Sequence, residues 1–111
     1  MKLTPFGALI LAAAFAATAA KADDTVAMSL LVKDHVFSPA EVKLPAGKIV
    51  LLTVNNADPT SVEFESKPLK IEKVIAGNSS AVIRIKVPAS GKILFVDEPR
   101  EDKTLGYFIV E

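Results

Sequence analysis

Two acidic stretches carry the residue types on which chemistry could rest. In SVEFES, Glu63 and Glu65 stand two apart; in FVDEPREDK, Asp97 and Glu98 are followed by Arg100, Glu101, Asp102 and Lys103. Residues two apart in a strand leave the same face, so Glu63 and Glu65 project together while Val62 and Phe64 turn to the other side. Carboxylate oxygens converging in this way suit a hard cation, and an ordinary solvent-facing strand reads identically. If Glu63, Glu65, Asp97 and Glu98 meet in one cleft, something positive must neutralise them. A metal ion would do so, and so would Lys67, Lys103 or Arg100, whose planar guanidinium forks onto a carboxylate.

His35, in KDHVFSP, is the only imidazole. It is either a further ligand or a structural hydrogen-bonder. Met28 is either a soft thioether ligand for copper or core packing in a strand of alternating apolar residues. Tyr107, beside Gly106, reads as an anchor of the last strand.

Other chemistry is thinly represented. The chain has no cysteine, which excludes a thiolate catalyst, a zinc finger and a Cys-ligated copper. A single histidine gives no specific Ser-His-acid constellation. No glycine-rich phosphate loop is present, and paired acids for glycoside hydrolysis need a groove that so small a domain seldom provides.

The elements that must position these residues are short. Runs of period-two alternation or continuous apolar character fall at about 26–32, 41–44, 49–55, 61–66, 71–75, 81–87, 92–96 and 105–110. They are punctuated by Pro45-Ala46-Gly47, by Asn55-Asn56-Ala57-Asp58-Pro59, by Ala76-Gly77-Asn78 and by Ala89-Ser90-Gly91, sequences with turn chemistry of their own. AVIRIKV is the clearest case: Ile83, Ile85 and Val87 face one side, Arg84 and Lys86 the other. Beyond the first residues no long stretch has helical spacing. The pattern predicts an all-β fold, a Greek-key β-sandwich of seven to eight strands in two packed antiparallel sheets.

Residues 1–22, MKLTPFGALILAAAFAATAAKA, combine Lys2, an apolar run and an Ala-x-Ala exit. This is the form of a secretory signal peptide, and the run is too short for a bilayer-spanning anchor. Cleavage after Ala22 leaves residues 23–111 as one domain, with 11 basic against 13 acidic side chains and a formal charge near −2. That charge suggests no nucleic-acid partner; the cleaved signal, for its part, implies a periplasmic mature chain with no stable membrane insertion. Without disulfides the domain must be held by packing alone.

The string FSPAEVKLPAGKIVLLTVNN, with SVEFESKPLKIEKVIAG and the closing FVDEPREDKTLGYFIVE, resembles a small cupredoxin domain of the Cys-free type found in bacterial periplasmic ferrous iron uptake systems. The resemblance covers nearly all of residues 26–111. It implies a module that binds copper or iron, assists ferrous iron oxidation, and delivers the ion to a membrane iron permease or works beside a second periplasmic iron-binding protein. Glu63-Phe64-Glu65-Ser66 match that group's first acidic segment, Asp97 and Glu98 match its second, and His35 fits a histidine seen in such modules. On this reading Glu63, Glu65, Asp97, Glu98 and His35 are the metal ligands, and Arg100, Met28 and Glu101 modulate the site. Type I blue copper is not expected, because the thiolate and the second imidazole are missing. The group's histidine after Asp97 is replaced by Arg100, which removes a donor and adds a permanent cation. The alternative is a metal-free cupredoxin-fold interaction module that docks a transporter or periplasmic partner through its acidic loop.

Overall fold

Alternation with a period of two, repeated along the chain, builds two sheets that each bury one face. A computed structural model describes residues 24–111; the proposed signal segment lies outside the described residues. The strands are β1 (Thr25–Lys33), β2 (Val36–Ser38), β3 (Glu41–Lys43), β4 (Ile49–Asn56), β5 (Val62–Ser66), β6 (Ile71–Ile75), β7 (Ser79–Lys86), β8 (Gly91–Asp97) and β9 (Leu105–Val110), with a 3-10 turn at Glu98–Arg100 between β8 and β9. One sheet has the order β2-β1-β4-β7 and the other β3-β9-β8-β5-β6.

The all-β sandwich is as the sequence predicts, with two corrections. Among the described residues there are nine strands rather than seven or eight, because the three-residue β2 is too short to show alternation. The sheets are also mixed rather than antiparallel throughout: β1 runs parallel to β4 and β3 parallel to β9. Parallel neighbours need a crossover. Here the chain folds back as β2, crosses to the other sheet as β3, and returns as β4 alongside β1.

The core follows the alternation. In β7, Ile83 and Ile85 are buried while Arg84 and Lys86 face solvent. Four phenylalanines, Phe37, Phe64, Phe95 and Phe108, fill the space between the sheets. Phe95 packs edge-on to Phe37 with centroids 5.0 Å apart and lies 4.5 Å from Phe108, separations at which ring quadrupoles add to burial.

Gly106 is fitted to this cluster. A Cβ there would lie 2.5 Å from Phe95 Cζ and 2.6 Å from the Ala40 carbonyl oxygen. That oxygen is held in place by the Tyr107 N–H at 2.9 Å. Gly106→Ala is therefore expected to cost about 2 kcal/mol by overpacking, read as a lower urea midpoint with an unchanged slope. A midpoint equal to wild type would show that the β3–β9 junction gives way freely.

Candidate functional site

Four connections meet at one end of the sandwich: the β1–β2 turn, the β4–β5 loop (57–61), the β6–β7 turn (76–78) and the β8–β9 loop (98–104). Two buried carboxylates, Asp58 and Asp97, tie them together.

The β1–β2 hairpin closes on two residues, Asp34 and His35, both with positive φ, 52° and 60°. Such a turn matches strand twist but normally draws Asn or Gly. Asp58 compensates. Its Oδ1 accepts the Asp34 N–H at 2.7 Å and its Oδ2 accepts the His35 N–H at 2.9 Å. Asp58 is itself held by Asn56, whose Oδ1 accepts the Asp58 N–H at 3.0 Å while Nδ2 donates to the Thr60 carbonyl at 2.8 Å and the Ala76 carbonyl at 3.2 Å. The Asn78 N–H donates to the Asp58 carbonyl at 2.8 Å, and Thr104 Oγ1 donates to the His35 carbonyl at 2.7 Å. All four connections thus share one polar network. The hydrogen bond from the His35 N–H, above all, holds the Asp58 carboxyl below its ordinary value of 3.8. The Asp34 N–H and the charges of His35 and Arg100 act in the same direction, against the opposing effect of burial.

Asp97 is fully buried. Its Oδ1 accepts the Glu63 N–H at 3.0 Å and its Oδ2 accepts Arg100 Nη1–H at 2.8 Å. The 3-10 turn after Asp97, with Pro99 fixing its backbone, brings Arg100 back onto the carboxylate three residues earlier.

The structure does not bring the five expected ligands together, and strand register is the reason. Phe64 pairs with Asp97 and Glu65 with Val96, so Asp97 lies on the core face of the sheet while Glu63 and Glu65 lie on its outer face. Carboxylates on opposite faces of one sheet cannot share an ion. Glu98 and Glu101 are exposed on the β8–β9 loop. His35 sits at the hairpin turn with Nδ1 3.6 Å from Asp58 Oδ2, outside hydrogen-bonding range. Met28 packs half-buried against the core, four residues before Val32 and so about 13 Å along the strand from the network. Among the described residues no group of three or more His, Cys, Asp or Glu side chains is placed to hold a metal ion. Asp58, Asn56 and Thr104 are the residues that sequence reasoning missed; the run Asn56-x-Asp58-Pro59 signals only a turn.

On the outer face, Glu65 stands directly opposite Glu72 across the β5–β6 pair. Partial burial, first, raises the Glu65 carboxyl above its ordinary value of 4.5; Lys67 opposes this, and a hydrogen bond with Glu72 and the charges of Glu98 and Glu72 reinforce it.

The donors required for blue copper do not fit this chain: there is no thiolate, and the single imidazole lies against Asp58. What the architecture defines is a cupredoxin-like sandwich whose loop end is closed by carboxylate networks. The cupredoxin-like domain family matches residues 5–110, and the chain belongs to that family. An uncharacterized protein of Rickettsia prowazekii (strain Madrid E) is 32% identical over 88 residues, covering 79% of this chain and 70% of the relative. Among solved structures, the metal-binding domain of the Streptococcus pneumoniae Cu(I)-exporting P-type ATPase CopA, with Cu(I), superposes with a TM-score of 0.70 at 19% identity, over 78% of this chain and 86% of that one. Auracyanin A, a blue copper protein from Chloroflexus aurantiacus, superposes with a TM-score of 0.65 at 13% identity, over 78% and 99% of the two chains. Identities this low carry the fold alone.

Proposed function

We propose that this chain is an exported, periplasmic cupredoxin-fold module of a copper- or iron-transport system, and that it works by docking a membrane permease or a second periplasmic protein through its acidic β8–β9 loop. The observation that carries this reading is the contact between Arg100 Nη1 and Asp97 Oδ2 at 2.8 Å, with Asp97 fully buried. A guanidinium already neutralises the one carboxylate of the second acidic segment that faces inward. The remaining acids of that loop, Glu98, Glu101 and Asp102, are exposed and available to a basic partner surface, where complementary charge sets encounter rate and specificity.

A second reading is favoured by the carboxyls on the outer face. Glu65 and Glu72 face each other across the β5–β6 pair, and on this reading the two carboxylates hold a copper or iron ion weakly through oxygen, in keeping with the copper-bound relatives of the fold. Calorimetric titration with Cu(II), and anaerobically with Fe(II), separates the two. The docking reading expects no saturable binding by wild type, and capture of the partner that is lost on charge reversal at Glu98 and Glu101. Stoichiometric binding abolished by Glu65→Gln would establish the second reading instead. An Arg100→His variant run alongside reports whether an imidazole at that position restores a metal site.

A further inference from the structure

The outer face of the five-stranded sheet carries a groove of about 530 Å³ between the β5–β6 turn and the β8–β9 loop. Its floor is Leu94 and Val96; Glu65, Glu101 and Asp102 stand around it, with Lys67 as the single basic lining residue. We infer that this groove receives a lysine or arginine side chain from an extended basic segment of a partner protein, the aliphatic stem lying on Leu94 and Val96 and the cationic head meeting Glu65, Glu101 and Asp102. The inference rests on the docking reading and gives it a location.

Three observations converge on this occupant. Long basic side chains lay their methylene stems on apolar surface and keep their heads in polar surroundings, which is the arrangement of floor and rim found here. The rim is predominantly of one sign, so charge complementarity selects a cation. The β5–β6 pair also breaks a rule of sheet design: Glu65 is placed directly opposite Glu72, where like charges destabilise. A cation seated beside it, adding to the charge of Lys67, relieves the repulsion. The same face already holds one lysine in a related manner, with Lys92 Nζ 4.5 Å from the centroid of the Tyr107 ring, and Tyr107 is the cross-strand neighbour of Leu94. The comparable hollow at the end of the sandwich, about 560 Å³, mixes Asp34 and Asp102 with His35, Arg100 and Lys103 and selects neither sign.

The test uses a fluorescent octapeptide of alternating lysine and alanine, with an alternating glutamine–alanine octapeptide as neutral control. The lysine peptide is expected to bind and to shift backbone amide resonances at Lys67, Leu94, Val96 and Glu101. Binding should weaken about fivefold in Glu65→Gln and about threefold in Leu94→Ser, and be unchanged in Glu41→Gln, an exposed acid on β3. Thermal melts check that each variant folds, and Glu72→Lys should melt higher than wild type while binding the peptide less. Equal binding by wild type, Glu65→Gln and Leu94→Ser, or shifts spread evenly over all acidic positions, would overturn the groove. If in addition the natural partner is still captured and released on charge reversal at Glu98 and Glu101, the docking reading survives the loss of the groove; if no variant alters capture, both fall.

Discussion

Arg100→Met is expected to lower the free energy of unfolding by about 3 kcal/mol. Asp97 is fully buried, and its second oxygen has Arg100 Nη1 as partner at 2.8 Å. Removing the guanidinium strands a carboxylate against the phenylalanine core with only the Glu63 N–H to satisfy it. Breaking a buried pair in this manner costs about 3–5 kcal/mol. Arg100 is 33% exposed, so water enters part of the space it leaves, which sets the figure at the lower end. Urea denaturation should show a reduced midpoint with the slope retained. The second step is a double-mutant cycle. With Asp97→Asn in place, Arg100→Met should cost under about 1 kcal/mol, because the charge that Arg100 neutralises is gone, and the difference measures the coupling. Additive losses would mean that the two side chains act independently and that Arg100 is free for another role.

The same pair shows what could be read in advance. Arg100 was legible as one candidate neutralising cation, beside Lys67, Lys103 and a metal ion, from its charge and its planar guanidinium; which of them meets Asp97 was not. The shared projection of Glu63 and Glu65 was legible too, since it needs only strand alternation. The face on which Asp97 lies was not legible, because it depends on the pairing of Phe64 with Asp97, a contact between strands distant in sequence. One residue of slip would have turned Asp97 outward beside Glu65 and made the expected carboxylate cluster geometrically possible. Eight of the nine strands were visible as apolar runs, whereas β2 was hidden behind a turn that uses aspartate and histidine at positive φ. That turn reads poorly because its support comes from Asp58, 24 positions from Asp34, in a segment whose local chemistry announces only a loop.

Asp58→Asn is expected to cost about 3 kcal/mol. Two backbone N–H groups donate to the carboxylate, at 2.7 and 2.9 Å, and bonds to a charged acceptor are worth about 1.5–3 kcal/mol each. An amide keeps one acceptor and aims a donor at the other N–H. Part of the loss is recoverable without the carboxylate, since the β1–β2 turn forces non-glycine residues to positive φ. In the Asp58→Asn background, His35→Gly should return about 1 kcal/mol. The pH profile separates this account from a general weakening of the loop end. Because the folded Asp58 carboxyl lies below its ordinary value of 3.8, its contribution is whole above pH 3.8 and drains away as pH falls through the folded value. The stability gap between wild type and Asp58→Asn should therefore be constant from neutral pH down to about 4 and narrow only in stronger acid. Glu65 runs the other way: its folded value lies above 4.5, so its contribution is present below pH 4.5 and is lost as pH rises through the folded value. Glu65→Gln removes that component without touching the acid limb. A gap between wild type and Asp58→Asn that closes near neutral pH would place the responsible carboxyl elsewhere.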